Sequence, residues 1–170
     1  MAKTGTAAKT GIAAQRSVPD SPTEPVARRP QPRACSIART LEVVGEKWSL
    51  LAMREMFFKV RRFDQIVANT GAPRDILATR LRKLVDAGLV VRVQYNDRPP
   101  RFEYHLTEAG RDLQPVLLTL MDWGDKHLAG DKPPPTVWTH TCGEHLTPSL
   151  TCESCGQKVR PGALTLADVG

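Results

Sequence analysis

The chain has 170 residues, 41% of them hydrophobic and 25% charged, with a formal net charge of +6. That length suits one core-forming domain with short appendages and is too short for two ordinary domains. No apolar run is long enough to span a membrane and the N-terminus has no apolar stretch of the secretory kind, so the expectation is a cytoplasmic protein without a membrane partner.

The charge is unevenly placed. Residues 61–101 hold nine Lys and Arg against four Asp and Glu, whereas residues 102–170 hold five against nine. A basic block in the middle of a folded region is the footprint of a chain that approaches phosphates. A solvated basic face is the alternative when charge is considered alone.

Residues 1–33 are rich in Ala, Thr, Pro and Arg and lack apolar periodicity, so a disordered basic tail is expected there. From Cys35 onward Ile37, Leu41, Val44 and Trp48 recur at helical spacing, with Gly45 marking a break. A second helix follows from about Lys47. Its Leu50, Leu51, Met53, Met56 and Phe57 form an apolar face broad enough to require burial between other elements. A short helix, Phe63 to Ala68, comes next, then a tight turn at Thr70-Gly71-Ala72.

The helix expected from Pro73 to Ala87 has two faces. Ile76, Leu77, Leu81, Leu84 and Val85 fall on one, and Arg74, Asp75, Thr79, Arg82 and Lys83 on the other. Gly88 ends it. Val90 to Tyr95 and Phe102 to Leu106 read as paired strands, joined by Asn96 to Arg101, which is too polar and Pro-rich to be strand itself. This order predicts a mainly α fold with a small β-hairpin wing, a winged helix-turn-helix. Its expected ligand is double-stranded DNA, contacted by Arg62, Arg74, Asp75, Thr79, Arg82, Lys83, Arg98 and Arg101.

Thr107 is placed to cap a long helix, with a kink expected near residues 111–115 because of Pro115. Its Leu113, Val116, Leu117, Leu120, Met121, Trp123 and Leu128 make more apolar surface than a small domain covers. A homodimer through the N-terminal helix and the Thr107–Leu128 helix is therefore expected, the alternative being that the helix from Ser36 covers this face within one chain.

Residues 130–137 read as a Pro-rich linker, residues 138–160 as a short zinc-ribbon-like hairpin and residues 161–170 as a tail. Cys152 and Cys155 stand at Cys-x-x-Cys-Gly spacing, and Cys142 with His145 supplies the other half of a structural zinc site, with His140 as the alternative ligand. A redox pair of Cys152 with Cys155, or a metal-free hairpin, are the other readings. No Ser/His/Asp arrangement, phosphate-cradling Gly loop or paired carboxylate stands out, so no enzyme is expected.

The stretch from Cys35 to about Leu128 resembles the HxlR family of bacterial winged-helix regulators, which share the MarR-like architecture. The resemblance is carried by Cys35, Gly45-Glu46-Lys47-Trp48, Arg62-Phe63, the Leu77/Arg80-Leu81/Leu84 spacing, Asp86-Ala87-Gly88-Leu89-Val90, Pro99-Pro100-Arg101-Phe102-Glu103-Tyr104, Leu106-Thr107-Glu108-Ala109-Gly110 and Trp123-Gly124. It implies that residues 34–129 form a DNA-binding and dimerisation domain of a sequence-specific transcription factor. It also implies a redox- or electrophile-sensing role at Cys35, the competing reading being an inert packed thiol. The alternative function is therefore a redox- or electrophile-responsive switch or a protein-interaction module on the same winged-helix scaffold. Glu46 and the Ala-Pro-Arg-Asp start of the second helix depart from the family pattern.

Overall fold

The computed structural model describes residues 33–167. The expected disordered tail therefore lies outside the described residues except for Arg33. Helices α1 (Ser36–Val44), α2 (Lys47–Phe57), α3 (Phe63–Thr70) and α4 (Arg74–Asp86) precede strands β1 (Val90–Asp97) and β2 (Pro100–Leu106). Helices α5 (Glu108–Arg111) and α6 (Gln114–His127) follow.

Helix α2 is the centre of the core. Ala52 and Met53 on it are fully buried, as are Ile66 of α3 and Leu77, Leu81 and Leu84 of α4. The three leucines recur at four- and three-residue spacing, which places them on one side of a helix of 3.6 residues per turn. Helix α4 is capped at Ala87, and Gly88 takes the left-handed conformation at φ 71°. The Leu89 N–H then donates to the Leu84 carbonyl and the Gly88 N–H to the Val85 carbonyl, so two of the helix's last carbonyls are satisfied before β1 begins.

Burial extends to one carboxylate. Glu55 is only 3% exposed. Its Oε1 accepts from Arg54 at 2.6 Å and its Oε2 from Asn69 Nδ2 at 2.7 Å. The bond from Asn69 links α3 to α2 and supplies the donor that a buried charge requires. Hydrophobic periodicity gave no hint of it, because Glu55 sits at a position that an apolar face would fill.

The hairpin differs from the expectation. The strands continue into the polar segment, with Asn96 opposite Arg101 and Asp97 opposite Pro100, after a bulge between Gln94 and Asn96. Side-chain bonds explain why polar residues can hold strand geometry here: Gln94 Nε2 donates to Asp97 Oδ1 at 2.9 Å and Asn96 Nδ2 to the Pro99 carbonyl at 2.8 Å. Only Arg98 and Pro99 remain as the tip. An isolated bridge between Arg62 and Glu103, together with the Tyr104 N–H bond to the Arg61 carbonyl, also ties the segment before α3 to β2.

The expected long helix is two helices. The Thr107 hydroxyl caps α5 by accepting from the Gly110 N–H at 3.1 Å while donating to the Gly88 carbonyl at 2.7 Å. Pro115 does not kink an existing helix. It occupies the first turn of α6, where a missing N–H costs no intrahelical bond. Leu113 and Leu117 pack against the core, while Val116, Leu120, Trp123 and Leu128 stay more than half exposed. Helix α1 packs on α2 and α4 and leaves those side chains uncovered, which disfavours the single-chain alternative.

No helix among the described residues is long and apolar enough to cross a membrane. Beyond α6, Trp138 stacks on Phe58 at the end of α2, with ring centroids 5.3 Å apart. Two isolated bridges, Thr139 to His145 and Thr151 to Lys158, then close two short loops.

Replacing Asn69 by Ala removes a donor from the buried Glu55 carboxylate and is expected to destabilise the fold by about 1.5–3 kcal/mol. A urea-unfolding midpoint equal to that of the wild type would show that the bond contributes nothing.

Candidate nucleic-acid interface

The turn between α3 and α4 sets the interface. Gly71 adopts φ 69°, and the chain passes through Ala72, which is buried, and Pro73, whose extended backbone precedes the first residue of α4. The left-handed step at Gly71 is one that side chains with a Cβ resist. With Leu77, Leu81 and Leu84 locked inward, Arg74, Asp75, Thr79, Arg82 and Lys83 all lie exposed on the outer side of α4.

These side chains are not equally free. Arg74 meets Asp64 of α3 at 2.7 Å and lies over the Phe63 ring at 5.0 Å. Both partners of that pair are well exposed, so the bridge is worth little in water and a phosphate can compete for the guanidinium. Arg82 Nη2 donates to the Thr79 hydroxyl at 3.2 Å, and that hydroxyl donates to the Asp75 carbonyl at 3.0 Å. This chain of contacts holds Arg82 along the outer surface of the helix.

Arg62, expected among the DNA contacts, is exposed and also makes contacts within the protomer. It pairs with Glu103 at 3.4 Å and lies over the Tyr95 ring at 4.9 Å, bracing the hairpin against the start of α3. Arg98 and Arg101 stand exposed at and beside the hairpin tip.

Two further arginines were not among the expected DNA contacts, although Arg80 belongs to the Leu77/Arg80-Leu81/Leu84 spacing that carries the resemblance. Arg92 stacks on Phe102 at 3.4 Å on the hairpin and adds an exposed cation to it. The alternation of Arg92 between Val91 and Val93 was the available signal. Arg80 is 19% exposed and pairs with Glu46 at 3.2 Å, joining α4 to the residue before α2. An open groove lined by Arg62, Gln65, Arg74, Tyr95, Arg101 and Phe102 separates the hairpin from the helices.

The cysteines fall elsewhere. Cys35 is an exposed free thiol at the N-cap of α1, with no side-chain capping bond. Cys142 lies beside His140, with Sγ 3.2 Å from Nδ1, whereas His145 is the bridge partner of Thr139. Cys152 and Cys155 share the second loop. The backbone N–H of Cys155, then that of Ser154, holds the Cys152 thiol below its ordinary range. Among the described residues no three His, Cys, Asp or Glu side chains stand close enough together to hold a metal ion, so the expected four-ligand set is not assembled as it stands.

Comparison with known proteins agrees with the geometry. The model of the HxlR-like helix-turn-helix family matches residues 43–132. An uncharacterized HTH-type transcriptional regulator of Mycobacterium tuberculosis, Rv3095, is 54% identical over 111 residues, 65% of this chain and 70% of that protein. The crystal structure of PA1607, described as a candidate transcription factor, superposes with a TM-score of 0.70 at 29% identity, covering 79% of this chain and 95% of its own. The redox regulator HypR in its oxidized form gives a TM-score of 0.50 at 34% identity, over 55% of this chain and 97% of its own. With an α3–turn–α4 unit, a basic hairpin and a family model spanning more than half its length, the chain belongs to the HxlR-like helix-turn-helix family of transcriptional regulators.

Proposed function

We propose that the protein is a homodimeric transcriptional regulator that recognises a specific sequence of double-stranded DNA. The observation that carries this reading is the two-sidedness of α4, whose leucines are fully buried while Thr79, Arg82 and Lys83 face solvent. A major groove about 12 Å wide admits one helix, and its base edges present a pattern that such side chains can read.

The work divides by residue chemistry. Lys83, Arg98 and Arg101 meet phosphate oxygens and fix register, since a cation at the backbone carries no sequence information. Arg82, Thr79 and Asp75 line the part of α4 that approaches base edges, where a guanidinium suits guanine and a carboxylate suits the cytosine amino group. Arg74 joins the phosphate contacts once its exposed bridge to Asp64 opens, and Arg62 supports the wing in place.

Dimerisation follows from uncovered apolar surface. Ile37 and Leu41 on α1, with Val116, Leu120, Trp123 and Leu128 on α6, are each more than half exposed. Full burial of one such side chain contributes about 1.5–3 kcal/mol, and a second copy related by a two-fold axis would bury both sets. Two copies of α4 then address two half-sites about one helical turn apart.

A second reading is supported by the exposure of Cys35 and by the likeness to the redox regulator HypR. In it, oxidation or alkylation of the Cys35 thiol at the start of α1 alters the dimer and thereby the spacing of the two α4 helices.

Replacing Arg82 and Lys83 together by Ala is expected to weaken binding to a duplex selected from a random pool by at least about tenfold, with the helical circular dichroism unchanged. Arg98→Ala should lower affinity for all sequences and reduce the slope of log K against log salt by about 1. Retained affinity in a gel-shift titration, or an unaltered salt slope, would remove these residues from the interface. Trp123→Glu combined with Leu120→Glu is expected to give a monomer in sedimentation velocity, and a dimer persisting in that variant would place the contact elsewhere. Diamide should change DNA affinity in the wild type but not in Cys35→Ser, and an equal response in both would end the redox reading.

A further inference from the structure

The segment after α6 contains an internal repeat that is visible only once the loops are aligned by their backbone bonds. Thr139-His140-Thr141-Cys142-Gly143-Glu144-His145 and Thr151-Cys152-Glu153-Ser154-Cys155-Gly156-Gln157-Lys158 are the same device built twice. Each begins with a Thr that forms a bridge to the last residue, His145 in the first and Lys158 in the second. The residue after each Thr donates its N–H to the residue before the last, His140 to the Glu144 carbonyl at 2.9 Å and Cys152 to the Gln157 carbonyl at 2.9 Å. Each loop closes with the glycine N–H returning to that same residue's carbonyl, Gly143 to His140 at 2.9 Å and Gly156 to Cys152 at 2.7 Å. Both glycines follow a cysteine and take positive φ, 95° and 71°.

The alignment equates His140 with Cys152, Cys142 with Cys155 and His145 with Lys158. The first loop is one residue shorter, and its leading side chain is the longer imidazole, which compensates for the missing backbone reach. His145 falls in the bridge outside the loop, at the place Lys158 occupies in the second, and a lysine at that place is no metal ligand.

From this juxtaposition we propose that the segment binds one structural zinc ion through His140, Cys142, Cys152 and Cys155. His140 Nδ1 and Cys142 Sγ are 3.2 Å apart, a little closer than the roughly 3.5 Å that bonds of about 2.0 Å to nitrogen and about 2.3 Å to sulfur give at a tetrahedral angle. The ion therefore opens this contact and takes the place of the Cys142 N–H that approaches Nδ1 at 3.4 Å. Three thiolates and an imidazole form a closed tetrahedral set suited to zinc. Among the described residues His140 and Cys142 do not form one ligand group with Cys152 and Cys155, so the ion has to draw the two loops together. The segment also needs such a fastening, because residues 139–145 and 149–158 are exposed throughout and have no apolar core. Its tether to the domain is Trp138, which stacks on Phe58 and whose carbonyl accepts from the Leu146 N–H at 2.7 Å.

The test is elemental analysis of the untagged full chain purified in zinc-containing medium, followed by exchange with cobalt(II). The expected result is one zinc per chain, a thiolate-to-cobalt charge-transfer band, and loss of the metal in Cys142→Ser and Cys152→Ser. His140→Ala should weaken zinc affinity by about tenfold or more, as loss of ligand support does, while His145→Ala leaves it unchanged. Circular dichroism of the helices confirms that each variant retains its fold. A metal-free chain with four reduced thiols, iron in place of zinc, or zinc lost in His145→Ala but kept in His140→Ala would overturn the assignment. DNA binding plays no part in this readout, so failure here leaves the proposed function untouched.

Discussion

The outward face of α4 is set by what is buried behind it. Leu77, Leu81 and Leu84 are wholly excluded from solvent in a helix that packs on α2, α1 and β1. A helix anchored at three positions over two turns cannot rotate about its axis without exposing a leucine, at a cost of about 1.5–3 kcal/mol for each. The exposure of Thr79, Arg82 and Lys83 is therefore a consequence of packing. The same seam requires α3 to stay fixed on α2, and the bond from Asn69 to the buried Glu55 carboxylate supplies that link. A polar pair at this place adds direction to a contact that apolar packing alone leaves slack.

The hairpin is held to the helices by a second set of contacts. Arg62 reaches Glu103 and Tyr95, and the Arg61 carbonyl accepts from the Tyr104 N–H, so the wing is attached at the entry to α3. Arg80 fastens α4 to Glu46 in the same way at the other side of the core. Among the described residues Arg62, Arg74 and Arg80 each make an ion pair that joins two segments of the protomer, while Arg82, Lys83, Arg92, Arg98 and Arg101 stand exposed.

Much of this was legible from residues. The leucine spacing of α4, the left-handed steps at Gly71 and Gly88, and the Thr107 cap are local signals, and local signals are what a sequence displays. The strands of the hairpin were read too short, because Asn96, Asp97 and Pro100 have poor strand propensity and their geometry depends on cross-strand and side-chain bonds. Pro115 was read as a kink because the break at Asp112 and Leu113 that turns it into a helix start is set by the tertiary packing of Leu113. Glu55 was invisible, since its partner Asn69 is 14 residues away on another helix. The arginines of the basic block could be counted but not sorted, because pairing with Asp64 or Glu103 is a property of the fold.

A two-fold arrangement of α4 is the claim on which the functional account turns, and hydroxyl-radical footprinting of the wild-type protein on a selected duplex addresses it directly. The account predicts two protected patches related by a dyad, with centres about one helical turn, 10–10.5 base pairs, apart or a whole multiple of that. It also predicts that methylation of guanine N7 within each patch interferes with binding, as expected for a helix in the major groove. A single protected patch without a dyad, or protection insensitive to major-groove methylation, would contradict it.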